Sequence, residues 1–369
     1  MTVPMGGGHL ATASVLKTLI ARYGGTRVNV TTLDVITDIH PAFGSGFTRW
    51  YSRSVGTHGG VVYRVAFWIG DTCAPILQWI ISVIFLGYAR RKYAQFRPDL
   101  VISTFPFLGG VAVKTIDLCR GTAPVIVVVT DAGKAFSGWF TEHAASYLVA
   151  TPDTRQRAIE KGVAPDRVRY LGFPVKDRFY DTISQQDARG KLRIPKDSFV
   201  VMVTAGGLGL NPSKVIDLVK HIATSTRSLC LIVVAGRNEA LETTLRRVEP
   251  LPTVDLRIVG YTDKMAEYMT ATDILCIKAG WLTISEAVTL QKPVIIYDTI
   301  PGQEEENVSY MVRSGFAVDL QHPRDVAVFL NDPERTDSLL RSTESSYRAA
   351  ALADPREAVA RHILSYLEK

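Results

Sequence analysis

The chain has 369 residues, 47% of them hydrophobic and 21% charged, which excludes a disordered or fibrous protein and sets two domains, each with its own core, as the starting expectation. The net charge of +6 is uneven, because residues 1–174 hold 18 Lys and Arg against 10 Asp and Glu while the remainder is slightly acidic. A basic half calls for an anionic partner surface; it contains no recognisable nucleic-acid module, so a membrane surface fits better than nucleic acid.

The start, Met1-Thr2-Val3-Pro4-Met5-Gly6-Gly7-Gly8-His9, is a Gly-rich turn that opens a helix with apolar residues at Leu10, Ala13, Leu16, Leu19 and Ile20. Such a turn normally follows a buried strand, and here the first strand is expected to be largely missing. No Gly-Lys-Ser/Thr follows, so the turn is not a P-loop. Gly7 and Gly8 can let a ligand approach the backbone, with His9 either facing that ligand or capping the helix. No secretory signal pattern is visible. A strand is expected over 28–33. Residues 40–98 are rich in aromatics and arginine, including Trp50 and Trp68. They turn apolar from Pro75 to Tyr88, around Trp79, and close on Arg90-Arg91-Lys92. This apolar run is too short to span a bilayer. It reads either as a buried helix or as a helix in the membrane interface, with its aromatics at headgroup level and its basic residues on anionic lipid. Strand–helix alternation then resumes, and a strand over 125–129 ends at Thr130-Asp131. A carboxylate there can be a general base or cap a turn. Residue 174 closes the first domain.

Gly172-Phe173-Pro174-Val175 and the polar residues 181–197 read as a hinge. The second domain, 175–355, opens with a strand over 200–204 and Gly206-Gly207-Leu208-Gly209. Its glycines, Gly207 and Gly209 among them, let backbone N–H groups approach a diphosphate. The strand over 230–235 leads to Arg237, either a fixed cation for a leaving diphosphate or an ordinary surface arginine. Gly260-Tyr261 can frame a flat base, with Met265 on the same wall. The cysteines (Cys73, Cys119, Cys230, Cys276) show no Cys-x-x-Cys pair and no metal-ligand spacing, as in a reduced cytoplasmic protein.

One stretch, Asp273 to Asn307, organises the second half. A strand, 273–277, runs into the turn Lys278-Ala279-Gly280-Trp281-Leu282-Thr283, and a helix opens through Glu286. Such a turn aims backbone N–H groups and the positive helix end at an anion such as diphosphate. Thr283 is placed to cap the helix. Glu286, about one turn in, can accept from both hydroxyls of a ribose. After the strand 293–297 come Gln303, Glu304, Glu305, Glu306 and Asn307, a set of hydroxyl partners for a sugar. Acids also favour helix starts for their own sake, and Glu306 reads that way.

Taken together, Gly260-Tyr261-Thr262-Asp263-Lys264-Met265, Lys278 to Ala287 and Pro301 to Asn307 resemble the donor site of a glycosyltransferase group. That group comprises monogalactosyldiacylglycerol synthases and bacterial diacylglycerol glucosyltransferases, with a more distant relation to the peptidoglycan N-acetylglucosaminyltransferase. The resemblance implies an α/β protein of the GT-B fold, two Rossmann-like domains facing across a cleft, with a last helix, 356–369, crossing back to the first. It implies inverting transfer of galactose or glucose from UDP-galactose or UDP-glucose to diacylglycerol, without a metal or other cofactor, at the cytoplasmic side of the cell membrane as a peripheral protein. It places His9 with Gly7 and Gly8 at the acceptor side of the reaction centre and gives 40–98 to lipid and membrane. Its members carry a His where Phe136 stands, and usually Pro and Gly where Ala279 and Trp281 stand. A transferase on another acceptor, a UDP-sugar 2-epimerase and a non-catalytic nucleotide-sugar or lipid binder are the alternatives; residues 40–98 argue against the epimerase.

Overall fold

The structure, a computed structural model, describes residues 1–3, 8–39, 60–140, 144–206, 211–302 and 304–368. Gly7, Trp50, Gly207, Gly209 and Gln303, singled out above, lie outside the described residues. The chain divides into two units. One holds Met1–Pro174, Pro301–Glu306 and Ala353–Lys369; the other holds Val175–Ile300 and Asn307–Leu352.

In the first unit four parallel strands stand in sequence order: β1 (Val101–Ser103), β2 (Val125–Val128), β3 (Ser146–Val149) and β4 (Val168–Tyr170). Parallel pairing needs crossovers, and α5 (Leu108–Leu118) and α6 (Pro152–Glu160) supply two of them. Ahead of β1 come α1 (Gly8–Gly24), α2 (Val35–Ile39), α3 (Gly60–Thr72) and α4 (Ala74–Phe96). α1 packs with the last helix, α15 (Arg356–Leu364), and α4 packs with α5. Leu16 and Ile20 of α1 join Val359 and Ile363 of α15 over Ile126 and Val128. The strand expected over 28–33 does not form; its end meets the chain start in a single parallel bridge, Thr2 to Asp34. A strand needs a partner along its length, and Met1–Val3 reach only that end.

Helix α4 buries one face of its apolar run and exposes another. Ser82, Tyr88 and Ala89 are buried, while Ile76, Trp79, Ile80, Val83 and Ile84 are exposed. The exposed set recurs every three or four residues, which is one helical face, and continues into exposed Arg90 and Arg91. Val65, Trp68 and Ile69 of α3 are exposed as well. Trp68 and Ile84 each keep 67% of their surface and Trp79 keeps 62%, far more than ordinary core-facing aromatics or isoleucines retain. Among the described residues no helix is long and apolar enough to cross a membrane.

The second unit is a six-stranded parallel sheet. Its strands are β5 (Val200–Thr204), β6 (Leu229–Val234), β7 (Val254–Val259), β8 (Ile274–Lys278), β9 (Val294–Asp298) and β10 (Ala317–Asp319), in the order β7-β6-β5-β8-β9-β10. This is the doubly wound nucleotide-binding order, with the reversal between β5 and β8. The helices are α7 (Gln185–Lys191), α8 (Pro212–Ala223), α9 (Glu239–Leu245), α10 (Met265–Ala271), α11 (Trp281–Thr289), α12 (Glu305–Arg313), α13 (Pro323–Leu330) and α14 (Pro333–Ala350). β5 and β6 are buried at every residue, as unbroken apolar runs covered by helices on both faces require. Asp273, at the head of β8, accepts from Arg189 Nη2 at 2.7 Å, Gln185 Nε2 at 3.0 Å and the Val200 N–H at 2.7 Å. It is a structural carboxylate that pins α7 to the sheet.

Candidate functional site

In the first unit the residues of interest gather at the carboxyl ends of β1 and β2, where parallel sheets bind ligands. His9 stands in the first turn of α1. Its Nδ1 is 2.9 Å from the carbonyl of Thr104, just past β1, and 3.0 Å from the hydroxyl of Thr130, just past β2. A carbonyl only accepts, so Nδ1 carries the proton and the neutral ring leaves its lone pair on Nε2. The Phe105 ring stands edge-on at 4.9 Å and the Trp139 ring lies 5.9 Å away. Burial in this setting pulls the His9 pKa down to about 4, partly offset by the bond to Thr104. The ring is therefore an uncharged proton acceptor at neutral pH.

Asp131 is half-buried beside it and accepts from Trp139 Nε1 at 2.6 Å. Burial raises its pKa to about 6; the Trp139 bond lowers it and the Glu304 charge raises it. Trp139 thus touches both candidate bases. Replacing it (Trp139→Phe) removes the donor that favours the carboxylate, so an acid limb of the pH–rate profile set by Asp131 should move up from near 6 by about one unit. A limb that stays in place would show that Asp131 does not titrate it.

The segment Pro301–Glu306 lies in this unit, with Glu304 buried. Glu305 pairs with Arg64 of α3 at 2.5 Å. Gly302 has φ +80°, and a Cβ there would stand 3.0 Å from the Phe67 ring, so both backbone and packing ask for glycine. Phe67 in turn packs on Phe136 at 5.0 Å, and Phe136 on Phe107 at 5.5 Å. The position where the resembling family has a His is thus spent on an apolar contact. Asp71, near the end of α3, accepts from the Ser137 N–H at 2.6 Å and from Arg157 at 3.0 Å, which ties the helix to the loop carrying Trp139. Sequence reading missed Asp71 and counted Phe67 and Arg64 only among the aromatic and basic residues of 40–98; their place on α3 reveals the role.

In the second unit the turn at the end of β8 meets the start of α11 next to the β5–β8 reversal. The helix begins at Trp281 with Gly280 as its cap and no side-chain cap bond. Thr283 is therefore the third helical residue and not the cap expected above. Trp281, the first helical residue, is buried with its ring edge-on to Tyr310 at 5.8 Å. Lys278 and Leu282 flank the turn, both half-buried. Asn307 donates its amide to the Ala279 carbonyl at 2.9 Å, buried. That bond shapes the turn, a task different from the sugar contact expected of Asn307.

Glu286 sits half-buried on α11. Burial raises its pKa to about 7, opposed by the charges of Lys176 and Arg178 just after the hinge. These two cations went unread in the sequence, although they directly follow the Gly-Phe-Pro-Val motif. Arg178 also donates to the Asp263 carbonyl. Arg237 is exposed and lies 4.5 Å over the exposed Tyr261 ring, so it starts from the base-framing residue. A Cβ at Gly260 would meet the end of the flexible Glu242 side chain, and Met265 opens α10. Among the described residues no group of His, Cys, Asp and Glu could hold a metal ion.

The comparisons with known proteins agree in kind. The family model described as monogalactosyldiacylglycerol (MGDG) synthase matches residues 9–175, and that for the glycosyltransferase family 28 C-terminal domain matches 200–322. A processive diacylglycerol β-glucosyltransferase of Bacillus cytotoxicus is 29% identical over 92% of this chain and 84% of its own. That of Bacillus cereus is 28% identical over 96% and 90%. Among solved structures, Acinetobacter baumannii MurG superposes with a TM-score of 0.62 at 13% identity, covering 99% of this chain and 97% of its own, which speaks to fold alone. Fold and site therefore define a GT-B glycosyltransferase. Within that class the chain is similar, over most of its length, to monogalactosyldiacylglycerol synthases and diacylglycerol glucosyltransferases.

Proposed function

We propose that this protein transfers a hexose from a UDP-hexose to the hydroxyl of diacylglycerol, with inversion at the anomeric carbon. The observation that carries the reading is His9, a neutral imidazole whose Nδ1 is fixed on Thr104 and whose Nε2 holds the lone pair. The acceptor oxygen attacks C1 of the sugar and its proton passes to Nε2. The C1–O bond to diphosphate breaks, and its electron pair leaves with UDP. Backbone N–H groups at the start of α11, together with Lys278, face the developing charge on the diphosphate, and Glu286 accepts from the ribose hydroxyls. In this reading no metal takes part. Glucose is the donor favoured by the names of the curated relatives, and galactose by the name of the family model.

The exposed faces of α3 and α4 support peripheral attachment to an anionic membrane. Trp68, Trp79 and Ile84 would enter the interface, while Arg90 and Arg91 meet lipid phosphate. The Trp79→Glu, Ile84→Glu double variant should lose at least tenfold in binding to phosphatidylglycerol vesicles, as judged by co-sedimentation, with UDP affinity unchanged. The deciding experiment offers labelled UDP-glucose and UDP-galactose separately over liposomes containing diacylglycerol. A labelled glycolipid names the sugar. No transfer from either donor, with UDP still bound, would overturn the assignment of diacylglycerol as acceptor.

A further inference from the structure

Two helices start at the β5–β8 reversal, α8 after β5 and α11 after β8. Neither start carries a side-chain cap bond, so the first N–H groups of both are left for another acceptor. Gly280, at the head of α11, has no side chain to give. Asn211, at the head of α8, has one, and Asn is among the best caps, yet it leaves its own helix bare. Its backbone is left-handed, with φ +56°, and its amide turns to Asp298 at the end of β9, 3.4 Å from each carboxylate oxygen. Lys214, in the first turn of α8, donates to the same carboxylate at 2.8 Å. Both partners follow β5, and β9 lies two strands from β5, across β8.

Asp298 holds the other helix start through its backbone. The pairing of β8 with β9 skips Tyr297: Ile277 faces Ile296, and Lys278 faces Asp298. An irregularity of this kind re-aims the chain where pairing ends. The Asp298 carbonyl then accepts from the Ala279 N–H at 2.9 Å, inside the turn that opens α11. One residue thus grips both helix starts, α8 by its carboxylate and α11 by its carbonyl. The side chains of Asp298 and Lys214 keep 13% and 22% of their surface, so the pair is less screened by water than a surface pair. A carboxylate beside helix starts that face a diphosphate repels the ligand. Its presence there is explained if its hold on the two turns returns more than the repulsion takes.

We propose that Asp298 is a positioning residue for the donor diphosphate, which fixes α8 and α11 so that their uncapped N–H groups converge on one anion. The proposal rests on the UDP-hexose reading above and adds to it a residue that acts through the two turns.

The test uses Asp298→Asn, which keeps the shape and the backbone carbonyl and removes the charge that orders Lys214. Calorimetry measures UDP, and competition against UDP measures uridine, which lacks the phosphates. Asp298→Asn should weaken UDP about tenfold and leave uridine unchanged, because only the phosphate contacts are displaced. Adding Lys214→Met should cost nothing further, since the two side chains act as one unit. Repulsion alone predicts the opposite sign, so UDP bound more tightly by Asp298→Asn overturns the proposal. An equal loss for uridine and UDP would assign Asp298 to the stability of the fold and overturn it. A further tenfold loss on adding Lys214→Met would make Lys214 a phosphate ligand in its own right and overturn it too. If the parent binds UDP and the variant matches it, this proposal alone falls; if the parent binds no UDP, the donor reading falls and takes the proposal with it.

Discussion

The His9→Ala variant is expected to lose about 10²–10⁴-fold in kcat while binding UDP as the parent does. The imidazole sits where the carboxyl ends of β1 and β2 present Thr104 and Thr130 to one of its nitrogens. Its pH behaviour gives a second readout. With a folded pKa near 4 against an ordinary 6.5, the folded protein resists protonating this ring. Below pH 6.5 the unfolded chain takes up the proton first, so stability drains away as pH falls from about 6.5 to 4. His9→Gln should remove that part of the acid sensitivity, measured by urea unfolding at pH 7 and pH 5. If kcat survives the loss of His9, Asp131 becomes the base, and the pH–rate limb near 6 would then be its own titration.

Glu286→Ala should weaken UDP affinity about tenfold to a hundredfold, the worth of two hydrogen bonds to a charged acceptor, about 1.5–3 kcal/mol. The carboxyl is raised to about 7 by burial, so at neutral pH only part of it is the stronger acceptor. Binding of a UDP-hexose, whose phosphates carry no second ionisation in this range, should therefore tighten as pH rises from 6 to 8 and level off above. Glu286→Gln should flatten that dependence. Calorimetric titration at three pH values checks both statements, and equal affinity in parent and Glu286→Ala would remove the ribose assignment.

The parts of the chain that were legible in advance are those where one physical demand writes the sequence. β5, β6 and β8 are buried on both faces, so they read as unbroken apolar runs, and the turn after β8 carries its polar residues at a strand's carboxyl end. The stretch 28–33 looks like a strand because its composition is a strand's, yet pairing decides, and its neighbour is short. Thr283 looked like a cap because Thr is a good one, but the helix starts three residues earlier, at the buried Trp281. The tie from Asp71 to Ser137 and Arg157 and the charges of Lys176 and Arg178 beside Glu286 are contacts between residues far apart in sequence, which no local pattern encodes. The apolar run of α4 was ambiguous for a deeper reason. A helix that buries one greasy face and exposes another has no amphipathic periodicity to find.

That two-sided helix changes what concentration means for this enzyme. On the proposed peripheral attachment, the exposed apolar face of Ile76, Trp79, Ile80, Val83 and Ile84 settles into a bilayer and confines the protein to a plane. It then meets its acceptor per unit area of lipid, by lateral diffusion, and the volume of the surrounding solution drops out. Spreading the same diacylglycerol through more inert lipid dilutes the substrate without removing a molecule of it. Each glycolipid made also stays in that plane, within reach of the enzyme that made it.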